Sequence, residues 1–313
     1  MELPETSDAG RVPDQLVPQE DASGRLDAPV EASAEAGALT CTSCSSYDQP
    51  TALGPIASTL FELSGLAASR HHPGVLYAHN DSGDYARFFA LDNEGGIVAE
   101  IDLKGAIDTD WEDMAMGPCA TGSCIYLGDI GDNHLTRTEY AIYRVPEPET
   151  LPSDGRTLSV NYERFPFVYP DGAHNAETLL VHPSSGRLFV ITKVGGVPST
   201  VYEMPLPFKA DQATTLILVT TVSVPAKAGV ITGGDFHPCA ERLLLRTYAA
   251  LYELSNLPGA PLEALFAAAP VQVPALIEAQ GEAVTYAADG RGYFTGSETV
   301  AGATSTLNFT SCP

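Results

Sequence analysis

The chain has 313 residues of which 44% are hydrophobic, enough for one large domain or two small ones with a substantial core, so a natively disordered chain is excluded. Sixteen Lys plus Arg face 40 Asp plus Glu, a formal charge of −24, and binding to nucleic acid or an anionic membrane needs a basic face that this balance does not offer. Small cations, basic ligands and neutral polymers remain as partners.

The chain opens on an acidic stretch. Residues 1–40 hold nine acids against two arginines and no aromatic residue, with repeated Ala, Pro, Ser and Asp, too little apolar surface to repay the entropy of ordering. We read residues 1–56 as a disordered acidic Pro/Ala-rich tether and 57–313 as the folded domain. Every apolar run is too short to span a bilayer or is broken by Pro, as at 262–276. The start carries no basic n-region and no apolar h-region. Six cysteines and the tether nevertheless suggest a secreted or cell-envelope protein whose signal or lipid anchor is not contained in this chain.

From residue 57 onward a unit of about fifty residues recurs five times. Each begins with a small or acidic pair on a short apolar strand, near Ser64, Glu112, Ala176, Gly234 and Gly281. Second strands follow at 75–79, 125–128, 187–192, 242–247 and 292–295, and third strands at 87–91, 140–145, 200–204, 250–254 and 306–309. Fourth strands fit 97–103, 158–168 and 216–224, and more weakly 262–273. Period-2 apolar patterning, β-branched and aromatic residues, and Gly/Pro/Asp turns all favour strands, while residues 262–269 offer the one amphipathic helix. Four short antiparallel strands repeated radially predict an all-β fold, a β-propeller of five four-stranded blades with six as the alternative. The last unit lacks an outer strand, and residues 57–63 are placed to supply it and close the ring. Such a ring is expected to be a monomer.

Cysteine placement adds detail. Cys119 and Cys124 flank a four-residue turn, within reach of a disulfide. Propeller topology puts Cys119, Cys124, Cys239 and Cys312 on one face, where the incoming N-terminal segment brings Cys41 and Cys44, so Cys312 is expected to pair with one of these two. The remaining pairing stays open. The lone Cys41-x-x-Cys44 unit has no second half-site of the kind zinc normally requires.

The opposite face collects acids. Aligning the repeats makes Gly65, Asp113, Glu177, Asp235 and Glu282 equivalent, which would set four carboxylates near the axis. Asp110 and Glu112 precede them at alternate positions, as does Asp108. Turns add Asp81, Asp84, Asp129 and Asp132, and Glu298 ends the matching strand of the last unit. Gathered carboxylates repel unless a cation, an Arg or backbone amides compensate, and an all-oxygen set suits Ca²⁺. Asp113, Glu177, Asp235 and Glu282 are the first-choice ligands. The alternative is that each accepts amide hydrogen bonds from a neighbouring blade or pairs with Arg87, Arg137, Lys193 or Arg246. His79, beside the acidic turn, is a candidate general base. His72, His182 and His237 precede Pro and fit exposed turns. Trp111 fits an inter-blade anchor. No nucleophile elbow, zinc helix or phosphate-cradling loop occurs.

The runs His79-Asn80-Asp81-Ser82-Gly83-Asp84, Asp110-Trp111-Glu112-Asp113-Met114-Ala115, Gly128-Asp129-Ile130-Gly131-Asp132-Asn133 and Gln280-Gly281-Glu282-Ala283 resemble a group of uncharacterised secreted bacterial β-propeller proteins across about residues 57–300. More distantly the chain resembles phytase-like esterase and lactonase propellers, a likeness that implies a calcium in the channel supporting hydrolysis. Only the acids Asp113, Glu177, Asp235 and Glu282 match that pattern, and Gly65 departs from it. Two functional readings follow. One is an extracellular ion-stabilised binding or scaffold propeller for a polymer, protein or small molecule. The other is a calcium-dependent hydrolase of esters, lactones or phosphates.

Overall fold

The five inner strands are β2 (Leu63–Ala68), β6 (Trp111–Pro118), β11 (Ala176–Val181), β16 (Ile231–Phe236) and β20 (Gly281–Tyr286). They are buried on both sides almost throughout because each is wedged between two neighbouring blades. The structure is a computed structural model and describes residues 41–153, 156–196, 198–225, 229–257, 259–300 and 305–313. Residues 1–40, most of the predicted tether, lie outside the described residues.

Each inner strand begins an antiparallel sheet. Blade 1 runs from β2 through β3 (Leu76–Asn80), β4 (Arg87–Leu91) and β5 (Ile97–Leu103). Blade 2 runs from β6 through β7 (Ser123–Asp129), β8 (Tyr140–Pro146) and β10 (Glu163–Val168), and blade 3 from β11 through β12 (Leu188–Thr192), β13 (Ser199–Met204) and β15 (Ile217–Val222). Blade 4 is β16, β17 (Arg242–Thr247), β18 (Leu251–Ser255) and β19 (Val271–Val273). Two short strands extend the pattern: β9 (Leu158–Val160) lies parallel to β5 and β14 (Thr214–Thr215) parallel to β10, so each borrows chain from the next repeat to cover an outer edge. The predicted strand 158–168 is thus divided between two blades. The amphipathic stretch at 262–269 yields a single turn, α1 (Glu263–Phe266), which buries Leu265 and Phe266 against blades 3 and 4.

Blade 5 combines β20, β21 (Gly292–Ser297) and β22 (Thr306–Ser311) with β1 (Thr51–Pro55), which pairs antiparallel with β22. The ring therefore closes through an N-terminal strand, but the strand is Thr51–Pro55 and not residues 57–63. It lies inside the segment that composition assigns to the tether. Residues 57–63 instead cross the face from β1 to β2. The sequence reading chose the later segment for its place just before the first inner strand. An edge strand paired on one side only needs no apolar pattern, and Thr51–Pro55 is largely exposed.

The core sits between blades. Tyr77, Phe88, Trp111, Ile125 and Tyr143 pack between blades 1 and 2, and Tyr126, Phe167, Leu179, Val190 and Tyr202 between blades 2 and 3. Trp111 is fully buried, in line with its reading as an inter-blade anchor, with its ring 5.6 Å from Tyr143. Three disulfides, Cys41–Cys239, Cys44–Cys312 and Cys119–Cys124, gather on one face. The Cys119–Cys124 pair and the staple from Cys312 are as expected, and the third pair uses the remaining two cysteines. No helix among the described residues is long and apolar enough to cross a membrane.

Candidate functional site: the acidic channel mouth

All five inner strands start at the face opposite the disulfides, and each carries a β-bulge at its second or third residue. Register shifts fall between Leu63 and Gly65, Trp111 and Asp113, Ala176 and Thr178, Ile231 and Gly233, and Gly281 and Val284. The bulge re-aims one side chain and sets the true equivalence of the repeats. The second residues are Ser64, Glu112, Glu177, Thr232 and Glu282. Asp113 lies one position further along its strand, and Asp235 three further along its own. The expected ring of four equivalent carboxylates is therefore two layers.

In the deep layer, carboxylates satisfy backbone amides. Asp113 accepts hydrogen bonds from the Met114 amide at 2.8 Å and from the Leu179 amide of the next blade at 2.9 Å. Asp235 accepts from the Tyr286 amide and the Thr285 hydroxyl, both at 2.9 Å, again across a blade boundary. Burial raises the pKa of both, Asp235 to about 6. His79 is fully buried against Gly65: its Nδ1 is 2.7 Å from the Asn80 carbonyl, its Nε2 has no hydrogen-bond partner, and burial lowers its pKa to about 4, leaving it neutral.

The mouth layer is different. Glu112, Glu177 and Glu282 are all buried and repel one another. Burial raises Glu112 well above the usual range, helped by Glu177, Asp81 and Asp110. Glu177 is paired with Lys193, yet burial still raises it to about 7. Burial and the nearby Glu298 raise Glu282 to about 9. One oxygen each of Glu177 and Glu282, the Oε2 atoms, is buried without a hydrogen-bond partner. Asp81 is raised to about 6 by burial and by Asp110, Glu298 and Glu62.

Asp81, Asp110 and Glu112 converge: one oxygen from each lies within 4.8 Å of the other two. Asp113, Glu177, Asp235 and Glu282 form no such group of three among the described residues. The clustered set thus comes from acids that the sequence assigned as accessory. The loop after β7 closes over them. A Cβ at Gly131 would collide with Glu112 Oε1 and Asp110 Oδ2, so glycine permits this approach. The other accessory acids have partners of their own. Asp84 pairs with Arg87 and accepts from Asn80, Asp129 pairs with Arg137 at 2.7 Å, and Asp132 accepts from the Thr136 and Arg137 amides and the Tyr140 hydroxyl. Glu298 accepts from Gln280.

Sequence reading missed Glu278, the buried partner of Arg246, and the burial of His237, whose Pro-flanked turn is covered by the N-terminal segment. Arg246 Nε and Nη1 remain buried without a partner.

No family model matches the chain, and no curated protein matches it. Among solved structures it is similar to the PQQ-bound aldose sugar dehydrogenase of Streptomyces coelicolor, with a TM-score of 0.50 and 13% identity over 84% of this chain and 98% of that one. It is also similar to a gluconolactonase of Xanthomonas campestris, with a TM-score of 0.49 and 13% identity over 84% of this chain and 89% of that one. At these identities the likeness is one of fold. No match supports the resemblance to an uncharacterised secreted group.

Proposed function

We propose that the chain is an exported propeller-type binding module whose channel mouth holds a divalent cation, Ca²⁺ by its donor set, and presents it to an oxygen-rich ligand. The convergence of Asp81, Asp110 and Glu112 carries this reading. Oxygens on opposite sides of a Ca²⁺ ion at 2.3–2.6 Å stand about 4.6–5.2 Å apart, so three oxygens within 4.8 Å of one another suit a single ion. Desolvated carboxylates with raised pKa values bind such an ion with relief of repulsion. The unpartnered Glu177 and Glu282 oxygens supply further acceptors at the same mouth. Three disulfides support the exported location.

Calorimetric titration with Ca²⁺ tests the reading. The intact chain is expected to bind one ion and Asp110→Asn to bind at least about ten-fold more weakly; no heat of binding and a melting temperature indifferent to chelator would refute it.

One observation favours a calcium-dependent hydrolase of esters, lactones or phosphates as a second reading. Glu177, raised to about 7 and paired with Lys193, and Glu282, raised to about 9, offer a charged and a protonated carboxyl beside the proposed ion. The ion would polarise a carbonyl or phosphoryl oxygen. Turnover of a lactone and phosphate panel that requires Ca²⁺ and disappears in Glu177→Gln would select this reading.

A further inference from the structure

On the disulfide face, where the N-terminal segment meets blade 4, two cysteines and a histidine meet. One ligand atom from each of Cys41, His237 and Cys239 lies within 4.8 Å of the other two, and Cys41 is bonded to Cys239. Cys239 is exposed and Cys41 half-buried, so a reducing thiolate reaches this bridge from solvent; Cys44 of the neighbouring bridge is buried. His237 is fully buried with a fixed orientation. Its Nδ1 accepts a hydrogen bond from the Cys239 amide at 3.1 Å, and its Nε2 stands 3.3 Å from the Gly290 carbonyl. The proton therefore sits on Nε2 and the Nδ1 lone pair faces the cysteine side. An imidazole that ligates a metal is oriented in the same way, with one nitrogen tied to a carbonyl; here the other must release the Cys239 amide to take an ion.

We propose that Cys41, Cys239 and His237 form a soft-metal site that the disulfide masks and that its reduction opens to Zn²⁺. A dithiol supplies two electrons and two protons: the S–S bond breaks to give two thiols, and the dithiol is oxidised to its own disulfide. Zn²⁺ then displaces the two thiol protons, and His237 Nδ1 exchanges the Cys239 amide for the metal, with water as fourth ligand on the exposed side. The corner stays assembled on reduction. Cys44–Cys312 anchors the segment three residues on, and the Thr42 amide donates to the Asp289 carbonyl at 2.9 Å.

Cd²⁺ serves as probe, because thiolate ligation gives an ultraviolet charge-transfer band that carboxylates do not. The full chain is reduced with about one equivalent of dithiothreitol, free thiols are located by alkylation and peptide mass, and Cd²⁺ is titrated in. The chain reduced at Cys41 and Cys239 is expected to show the band, saturating at one ion per chain, and the oxidised chain none. His237→Gln should weaken affinity roughly 10–100-fold. Because that residue is buried, the paired Cys119→Ser and Cys124→Ser variant is run beside it and should keep the full band. Absence of a band after verified reduction, or a band that persists when Cys41→Ser and Cys239→Ser are combined, would overturn the proposal.

Discussion

Glu177 and Lys193 show how one charge at the mouth is kept. Both side chains are largely desolvated, and each is stabilised chiefly by the other. Lys193→Met leaves the Glu177 carboxylate buried without its cation and should destabilise the fold by about 3 kcal/mol at pH 8 by urea denaturation, and by less at pH 6, where Glu177 takes up a proton. Gly65 makes a different demand. A Cβ there would collide with His79 Nε2 and crowd the Met114 amide, so Gly65→Ala should cost about 1–3 kcal/mol through overpacking, read in the same assay. Pairing with Lys193 was one of the alternatives the sequence offered for these acids, whereas the role of Gly65 was not legible. Gly65 stood out only as the missing carboxylate of an aligned set, because nothing in a sequence reports which side chain leans across a strand from the neighbouring one.

At the scale of elements, the blades and their strands were largely legible, since period-2 patterning and turn residues act locally. The fourth strand of blade 1 falls at Ile97–Leu103 as read from the sequence. The site was less so, and the bulges are the reason. An extra residue early in each inner strand breaks the alternation that sequence alignment assumes, so Asp113 and Asp235 were set level with Glu177 although they lie deeper. Asp110 meets Glu112 at the alternate spacing read from the sequence, but Asp81 reaches them from a loop whose path carries no periodicity. Closure was legible in kind but not in place, because an exposed edge strand leaves little pattern. The element that closes the ring is also stapled: Cys44–Cys312 spans 268 residues of sequence and Cys119–Cys124 only five. In the chain-entropy account the long bridge contributes about 6 kcal/mol and the short one about 2. Paired Cys→Ser replacement at Cys44 and Cys312 should therefore lower stability by more than replacement at Cys119 and Cys124, and equal losses would contradict a role for the staple in closure.

Over the whole molecule, the charge of −24 separates into parts with different consequences. Nine acids lie in residues 1–40, and a cluster of the rest converges on one mouth. There Asp81, Glu112, Glu177 and Glu282 all hold protons more tightly in the fold than in the unfolded chain. The folded state thus binds more protons, and stability falls as pH rises above the ordinary carboxylate range, through about 6 for Asp81, about 7 for Glu177 and about 9 for Glu282. Melting temperature measured from pH 5 to 9 should decline without calcium and decline less with it. The most direct test is a crystal grown with calcium and inspected by anomalous scattering. One peak within 2.3–2.6 Å of oxygens from Asp81, Asp110 and Glu112 is the expected result, and a mouth without a peak, or a peak bound by other residues, would contradict the account.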